Sequence, residues 1–474
     1  MFKKAVGLFA ILSACSSVAW SASPISISLD SSLLDEFSKQ GIRQSEVSVV
    51  ALPLEPYAAR RPIQIEHQAD QLVNPASVAK VFTTGYALEK LGTAYQFKTG
   101  FHALKEPVDG VLQGNLFIKG GGDPVFLTRD LWTSLRALRA RGLKEIAGAV
   151  VVDRSVFAPP PLAERVSQEE FDDAPHRAYH AAPDGLLMNH GAMVIDLQVQ
   201  DSRVTLRPEN APASWAFVSE IKPVSGGCRS WKNGLDVAFK KLGNNVVVTF
   251  SGPYPARCGA SRLPIQIPHQ DWLFESWFTE LWAELGGRFN GEIQEGKTPE
   301  NTLALYTHYG PPVSEVVRDV NKWSSNVMAR HLELATSGDA SLFNQKMLKW
   351  LDEQSINTRG WFFENGSGLA RKTRIAARGT AQFLAYMATR ADFPDFLASM
   401  PRAGYDGTLS RRLREVDHFA YLKTGSLSGV RSAAGYLRTK TGQWYALCIT
   451  VESAKAYNAW PGMEKVVEHI YSEH

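Results

Sequence analysis

The sequence predicts a protein of mixed α/β (α+β) class with at least two domains. Its 474 residues exceed the roughly 250 to 300 residues at which a single hydrophobic core stops growing. Helical periods dominate before residue 97 and after residue 300, whereas residues 98–299 carry short alternating apolar runs interrupted by Gly and Pro. We therefore expect one helix-and-sheet domain formed by residues 23–97 and 300–474, with a large β-rich insertion at residues 98–299.

Individual elements follow from local patterns. A helix is predicted between Asn74 and Gly92, because Pro75 suits a first-turn position and Gly92 closes the apolar run. Within the insertion, the polar and Pro-rich stretch 155–185 predicts a long irregular connection. Alternation predicts strands at 111–118, 245–250, 420–424, 432–437 and 444–451, and helical spacing predicts helices at 313–320, 327–334, 380–389 and 463–471.

Composition narrows the class of protein. Hydrophobic residues make up 44% and charged residues 21%, which is typical of a folded globular chain and argues against long disorder. The formal net charge is +3, and no basic run or basic-aromatic stripe is present. Nucleic acid is therefore not an expected partner. The sequence does not indicate an oligomeric state.

The first 22 residues have the layout of a secretory signal peptide. Lys3 and Lys4 precede the apolar run 5–14, which is followed by small residues. This run is about half of the roughly 20 apolar residues that a transmembrane helix needs. Cleavage would give a periplasmic protein. Leu12-Ser13-Ala14-Cys15 also resembles a lipobox, so a lipoprotein tethered through Cys15 is the alternative.

Three further cysteines remain after Cys15. Cys228 and Cys258 both lie in Gly-rich loop contexts, and export permits a disulfide, so we expect them to pair. Two free thiols are the alternative. Cys448 lies inside the apolar run 444–451 and reads as a small buried hydrophobic residue.

The predicted helix after Asn74 carries a candidate nucleophile and base. Ser77 and Lys80 are spaced i, i+3, which places both side chains on one helix face. A serine hydroxyl is a poor nucleophile until a base takes its proton, and a desolvated lysine with a lowered pKa can be that base. Backbone N–H groups near the helix start can stabilise an oxyanion.

Two later motifs supply groups of matching chemistry. Ser324-Ser325-Asn326 lies between two helical segments, where a loop can present a hydroxyl and an amide to a cleft. Lys423-Thr424-Gly425-Ser426 lies on a predicted strand. There Lys and Thr can hold a substrate carboxylate, the strand edge can align a peptide, and Gly leaves room for its approach.

Each motif also has a second copy, which we reject. Ser219–Lys222 runs into Pro223, so its two side chains are not expected to share a helix face. Ser355–Asn357 lies in a polar stretch that favours a turn. Lys440–Gly442 falls at the tip of a predicted hairpin, where a solvated turn is the better interpretation.

The three motifs in this order, in an exported chain, are the signature of penicillin-binding proteins and serine β-lactamases. The chain resembles the class C penicillin-binding proteins, the D-alanyl-D-alanine carboxypeptidase/endopeptidases of the penicillin-binding protein 4 type, over nearly its whole mature length. The order includes a large insertion between the first two motifs. Further agreeing stretches are Asn74–Ser77, Gly120–Pro124, Asn365–Leu369, Asp406–Leu409 and Lys423–Leu427.

The resemblance implies a fold, an activity and a set of site residues. The fold would be a serine β-lactamase/transpeptidase-like domain, an antiparallel sheet flanked by helices. The activity would be cleavage of peptidoglycan stem peptides through an acyl-enzyme, in cell-wall remodelling, with β-lactam antibiotics as covalent inhibitors. The implied roles are nucleophile for Ser77, base for Lys80, proton relay and substrate holder for Ser324 and Asn326, carboxylate binding for Lys423 and Thr424, and an oxyanion hole from the backbone of Ser77 and Ser426.

Other assignments leave an alternative open. Arg371 is a candidate for binding an acidic substrate group, with a plain surface arginine as the alternative. Ser325 and Ala370 stand where the family often has Asp and Ser, which leaves substrate preference open. A serine β-lactamase and a non-catalytic penicillin-binding scaffold are the alternative functions. No cofactor is expected, and no metal either, because the cluster of His176, His180, His190, Asp172 and Asp173 lies in a loop-like segment without a zinc motif.

Overall fold

The computed structural model describes residues 24–54, 63–157, 171–172, 174–228 and 231–473. The predicted signal peptide, residues 1–22, and Cys15 lie outside the described residues. Within the described part, none of the helices has the length and apolar character that crossing a membrane would require.

The helices and strands follow one another along the chain largely as the sequence patterns predict. The described helices are Ser31–Lys39, Ala79–Leu91, Thr128–Ala140, Gln270–Glu284, Val313–Trp323, Asn326–Ser337, Ala340–Glu353, Ala377–Ala388, Phe393–Ser399 and Trp460–Glu473. The described strands are Ile25–Ser28, Val47–Pro53, Ile63–His67, Gln96–Ala103, Val111–Leu112, Leu116–Gly120, Glu145–Ile146, Val150–Asp153, Ala192–Gln200, Arg203–Pro208, Trp215–Val224, Asp236–Leu242, Asn245–Pro255, Ser261–Gln266, Arg288–Phe289, Ile293–Glu295, Leu303–Pro312, Ala420–Leu427, Val430–Arg438 and Trp444–Glu452.

A six-stranded sheet joins the two ends of the chain. Strand Val47–Pro53 pairs antiparallel with Trp444–Glu452, which pairs with Val430–Arg438, and Ala420–Leu427 forms one edge. Helix Ala377–Ala388 packs against one face of this sheet. The first and last helices pack against the other, with Phe37 and Val466 among their buried residues. The predicted architecture of a mainly antiparallel sheet flanked by helices is therefore present.

The intervening residues form separate sheets. A five-stranded sheet has Gln96–Ala103 and Leu303–Pro312 as antiparallel neighbours, so the chain leaves and re-enters this region through paired strands. Three further three-stranded sheets make the region β-rich. It also contains helices Thr128–Ala140 and Gln270–Glu284, which the sequence analysis did not predict. The boundaries at residues 98 and 299 stay a prediction.

Helix Ala79–Leu91, which we call the serine helix because it follows Ser77, lies at the centre of one core. Ten of its 13 residues are buried, so it lacks the polar face of a surface helix. The Phe82 ring lies 5.6, 5.4 and 4.5 Å from the rings of Trp361, Phe363 and Phe383. Aromatic packing on this scale fixes the helix position, and with it the placement of Lys80.

The cysteine predictions are confirmed. Cys228 and Cys258 form a disulfide with their Cα atoms 5.7 Å apart, and Cys448 is a buried free thiol. The bond joins the ends of two neighbouring parallel strands, Trp215–Val224 and Asn245–Pro255. It therefore closes a loop around the most extended strand pair of the insertion.

Removing this disulfide is expected to destabilise the insertion. The sequence separation of 30 residues corresponds to about 3–4 kcal/mol of unfolding free energy in the chain-entropy description. Scanning calorimetry of a Cys228→Ser, Cys258→Ser double variant should show a lower unfolding temperature that reductant does not change further. Unfolding identical to that of the oxidised wild type would contradict this expectation.

Candidate active site

The turn that carries Ser77 is strained and tied down by Asn74. Ala76 has φ 48°, in the left-handed region that non-glycine residues rarely occupy. Its N–H donates to Oδ1 of Asn74 at 2.9 Å, and Asn74 Nδ2 donates to the carbonyl of Ala370 at 2.8 Å. The predicted helix therefore begins as a short 3-10 turn, Ala76–Val78, before the serine helix. Strain of this kind is often found where a reactive side chain must be held in place.

Lys80 is fully buried beside Ser77. Its Nζ lies 3.0 Å from Ser77 Oγ and 2.7 Å from Asn326 Oδ1, and it donates to the carbonyl of Ser367. Burial, and secondarily the charge of Lys423, hold the pKa of Lys80 well below its ordinary value. None of the three partners is a carboxylate, so nothing among them offsets the cost of burying a positive charge.

These contacts determine how a neutral amine would be hydrogen-bonded at Lys80. A neutral amine has two N–H groups and one lone pair. Asn326 Oδ1 and the Ser367 carbonyl oxygen can only accept hydrogen bonds, so each accepts one from an N–H group of the amine. In the neutral form the lone pair would face Ser77 Oγ, 3.0 Å away, so the geometry allows Lys80 to accept the serine proton.

The second motif turns sharply between two helices. Ser324 ends helix Val313–Trp323 in the left-handed conformation, with φ 61°. Ser325 then caps helix Asn326–Ser337, and its side chain accepts from the N–H of Met328. Ser and Asp are both good N-cap residues, so Ser325 can fill the structural place that Asp often has in related sequences.

The third motif lies on the edge strand Ala420–Leu427. Lys423 is fully buried, and its Nζ donates to Ser324 Oγ at 2.9 Å and to the Thr424 carbonyl at 2.7 Å. Burial lowers the pKa of Lys423 to about 7. The Thr424 hydroxyl donates to Thr408 at 2.7 Å. The second and third motifs are therefore joined directly through Lys423 and Ser324.

The edge strand leaves room for an incoming peptide. Apart from a bridge between Arg402 and Tyr421, its outer edge has no strand partner in the described parts of the chain. A Cβ atom on Gly425 would lie 2.6 Å from the carbonyl oxygen of Pro75, so this position needs glycine. Ser426 follows at the exposed end of the strand. An open strand edge can bind an extended peptide by strand addition.

A loop that carries no predicted chemistry completes the lysine site. Asn365 Oδ1 accepts from the backbone N–H groups of Ser367 and Gly368 and from the Ser367 hydroxyl. This arrangement presents the Ser367 carbonyl to Lys80. Gly368 has φ 71°, and a Cβ there would lie 2.0 Å from the Ala76 carbonyl oxygen. Only glycine allows the loop to approach the serine turn this closely.

Other predicted residues have different surroundings. Arg371 is exposed, and its guanidinium lies 4.2 Å from the centre of the Phe171 ring. His176 Nε2 bonds the Lys232 carbonyl and His180 Nε2 bonds Asp172.

The rejected copies lie away from this chemistry. Ser219 and Lys222 are on strand Trp215–Val224, where residues three apart point to opposite faces. Ser355 lies in a turn, and Lys440–Gly442 connects two strands of the main sheet. The predictions made for all three are confirmed.

One contact comes from the insertion and was missed by the sequence analysis. The carbonyl of Tyr179, in the short turn Ala178–His180, accepts a hydrogen bond of 3.0 Å from Asn326 Nδ2. This stretch had been interpreted only as an irregular connection. A backbone carbonyl has no sequence signature, so no residue pattern could have indicated this contact.

The site combines a serine beside a buried lysine, a second buried lysine, and an open strand edge. The Ser324–Asn326 motif contacts both lysines. Together these features define a serine acyl-transfer enzyme of the penicillin-recognising fold. Comparison with known families agrees. The D-Ala-D-Ala carboxypeptidase 3 (S13) family matches residues 32–469, and the chain belongs to this family. The predicted enzyme class, a hydrolase with carboxypeptidase activity, is confirmed.

Curated relatives and solved structures point the same way. D-alanyl-D-alanine carboxypeptidase DacB of Haemophilus influenzae is 25% identical over 385 residues, 78% of this chain and 78% of the relative. D-alanyl-D-alanine carboxypeptidase of Actinomadura sp. (strain R39) is 26% identical over 394 residues, 78% of this chain and 71% of the relative.

The crystal structure of penicillin binding protein 4 (dacB) from Haemophilus influenzae matches with a TM-score of 0.78 and 21% identity, covering 93% of this chain and 99% of that one. A second structure of that protein, in complex with a β-lactam, matches with a TM-score of 0.73 and 22% identity, again over 93% of this chain and 99% of that one. The predicted fold class is therefore confirmed.

Substituting Gly368 is expected to disrupt the serine turn. In Gly368→Ala the new methyl group would collide with the Ala76 carbonyl, and release of D-alanine from a D-Ala-D-Ala peptide should fall about 100-fold because small misplacements of reacting groups are costly. Gly243→Ala is the matched control, since Gly243 has φ 60° but open space around it. Comparable activity in the two variants would contradict the proposed constraint.

Proposed function

We propose that the chain cleaves D-alanyl-D-alanine bonds of peptidoglycan stem peptides with Ser77 as the nucleophile and Lys80 as its base. The observation that carries the assignment is the position of Lys80 Nζ, buried and 3.0 Å from Ser77 Oγ, with both N–H directions taken by carbonyl oxygens. Neutral Lys80 accepts the Ser77 proton as Oγ attacks the carbonyl carbon between the two D-alanines.

Substrate would bind along the edge strand. Lys423, in its charged form, and Thr424 hold the terminal carboxylate, and the open edge of the strand aligns the peptide backbone. The backbone N–H groups of Ser77 and Ser426 would stabilise the oxyanion. Asn326 holds the amine of Lys80 and can reach the substrate backbone.

The reaction then proceeds in two steps. Lys80 takes the Ser77 proton as the bond between Ser77 Oγ and the carbonyl carbon forms. The C–N bond then breaks, and the departing D-alanine amine takes that proton from Lys80, relayed through Ser324. In the second step water attacks the ester, Lys80 takes a proton from the water and passes it to Ser77 Oγ as the ester C–O bond breaks, and the shortened peptide leaves as a carboxylic acid that ionises in solvent. Ser324 is suited to the relay because its oxygen accepts from Lys423 Nζ at 2.9 Å, which leaves its O–H group to donate.

The same acyl-enzyme chemistry accommodates further reactions. Endopeptidase cleavage of cross-links needs only a larger amine as leaving group, and β-lactams would acylate Ser77 because they present a strained amide to the same nucleophile. The name penicillin binding protein 4 and the β-lactam complex of that protein support the proposal for β-lactams. Arg371, exposed beside Phe171, remains the candidate for an acidic group on the stem peptide.

Location follows from the substrate and from the first residues of the chain. We propose export by the signal peptide at residues 1–22, to the periplasm, where peptidoglycan is accessible. Lipid attachment at Cys15 is the alternative. Cell-wall enzymes among the relatives support an extracytoplasmic location.

The nucleophile assignment predicts a covalent adduct at one residue. Mass spectrometry of the wild type after incubation with a penicillin should show a mass increase equal to the whole antibiotic, and Ser77→Ala should show none. D-alanine release from a pentapeptide should be lost in the same variant. An adduct that persists in Ser77→Ala would refute the assignment, and rapid penicillin turnover without D-alanine release would favour a β-lactamase.

The two lysines predict a bell-shaped dependence of kcat/KM on pH for a D-Ala-D-Ala peptide. Activity rises as Lys80 loses its proton, and falls as Lys423, whose pKa is about 7, loses the charge that binds the carboxylate. In kcat the falling limb should move to higher pH, because bound carboxylate favours the charged lysine. Lys423→Arg, which stays charged, should lose the falling limb. A falling limb unchanged in that variant would contradict the role of Lys423.

A further inference from the structure

The insertion contributes a contact to the lysine site through the turn Ala178–His180. Among the described residues of the insertion, Tyr179 supplies the carbonyl that accepts from Asn326 Nδ2 at 3.0 Å. The opposite atom of the same amide, Oδ1, lies 2.7 Å from Lys80 Nζ. One side-chain amide therefore links a backbone carbonyl of the insertion to the proposed base.

The Tyr179 carbonyl determines which way the amide faces. A carbonyl oxygen only accepts hydrogen bonds, so the NH₂ group of Asn326 must face it. In the reversed orientation, two oxygens would oppose each other at about hydrogen-bond distance, and the NH₂ group would point at Lys80. The lone pair of neutral Lys80 would then accept a hydrogen bond from Asn326 instead of from the Ser77 hydroxyl.

Asp172 holds this turn in place. Its carboxylate accepts from the Tyr179 hydroxyl at 2.7 Å, from His180 Nε2 at 3.0 Å and from the N–H of Ala174 at 3.0 Å. Burial would raise the pKa of Asp172, but the bonds from Tyr179 and His180 outweigh it and lower the pKa, so the group stays an ionised acceptor. These hydrogen bonds fix the position of the Tyr179 side chain and, with it, the position of the Tyr179 carbonyl.

We propose that Asp172 is a positioning residue for the acylation step. By fixing the turn Ala178–His180, it holds the Asn326 amide in the orientation that leaves the Lys80 lone pair for Ser77. The role rests on the proposed function, since it presumes that Lys80 takes the Ser77 proton. It also gives the insertion a direct part in the chemistry, because Asp172 and Tyr179 both lie within it.

A double-mutant cycle tests whether Asp172 acts through Asn326. The probe is the rate of Ser77 acylation by a fluorescent penicillin, measured in a single turnover on the full chain. Asp172→Ala should slow acylation about 10- to 100-fold, as expected for a misplaced reacting group. In an Asn326→Ala background, the same substitution should change the rate less than about 2-fold, because the amide through which it acts is gone. An equal loss in both backgrounds would overturn the proposal.

Conservative variants separate positioning from loss of structure. Asp172→Asn keeps an oxygen for the Tyr179 hydroxyl and should recover most of the rate, whereas Tyr179→Phe removes that bond alone and should give an intermediate loss. Asp236→Ala, an exposed carboxylate on strand Asp236–Leu242 of the insertion, is the control and should acylate like the wild type. No rate difference between Asp172→Ala and this control would refute the role of Asp172. A wild-type chain that forms no adduct would instead refute the nucleophile assignment, and this inference with it.

Discussion

The structure of the site depends on the complete burial of Lys80 without an anionic partner, which holds its pKa well below the ordinary value. An ammonium group in this position would have no carboxylate partner among its three contacts, and burying such a charge costs several kcal/mol. The protein instead removes water and offers two carbonyl oxygens, one from Asn326 and one from Ser367. These oxygens leave Lys80 as a hydrogen-bond acceptor toward Ser77. Several surrounding segments hold the oxygens of Asn326 and Ser367 in place.

Each oxygen is held by a different part of the chain. The Ser367 carbonyl is presented by a loop that Asn365 ties together and that approaches the serine turn at Gly368. The Asn326 oxygen comes from the start of a helix, and its orientation depends on a carbonyl of the insertion. The serine helix itself is buried along most of its length, and its Phe82 packs against three aromatic rings. Segments that lie far apart in the sequence therefore converge around Lys80 Nζ.

The sequence predicted that Ser77, Lys80 and Asn326 belong to one site, because their residue types and spacing suggest that chemistry, and the structure brings them together. It also predicted the disulfide and the hairpin whose tip lies at Lys440–Gly442, where local patterns are strong. It did not predict helix Gln270–Glu284, although the apolar pairs at 273–274, 277–278 and 281–282 recur at helical spacing and are buried. This signal was missed because the segment lies in a region whose other apolar runs alternate as in strands. The carbonyls of Ser367 and Tyr179 were also missed, because a backbone oxygen at a site is a property of the fold rather than of residue identity.

Burial acts on both lysines in the same direction, although the proposed reaction needs them in opposite states. The pKa values of Lys80 and Lys423 are both lowered by loss of solvent. In the proposed reaction the substrate separates the two lysines further. A terminal carboxylate at the edge strand would give Lys423 an anionic partner that restores its charge, whereas Lys80 contacts only neutral oxygens. The bound peptide would thus complete a difference between a binding lysine and a basic lysine that the contacts of Lys80 begin.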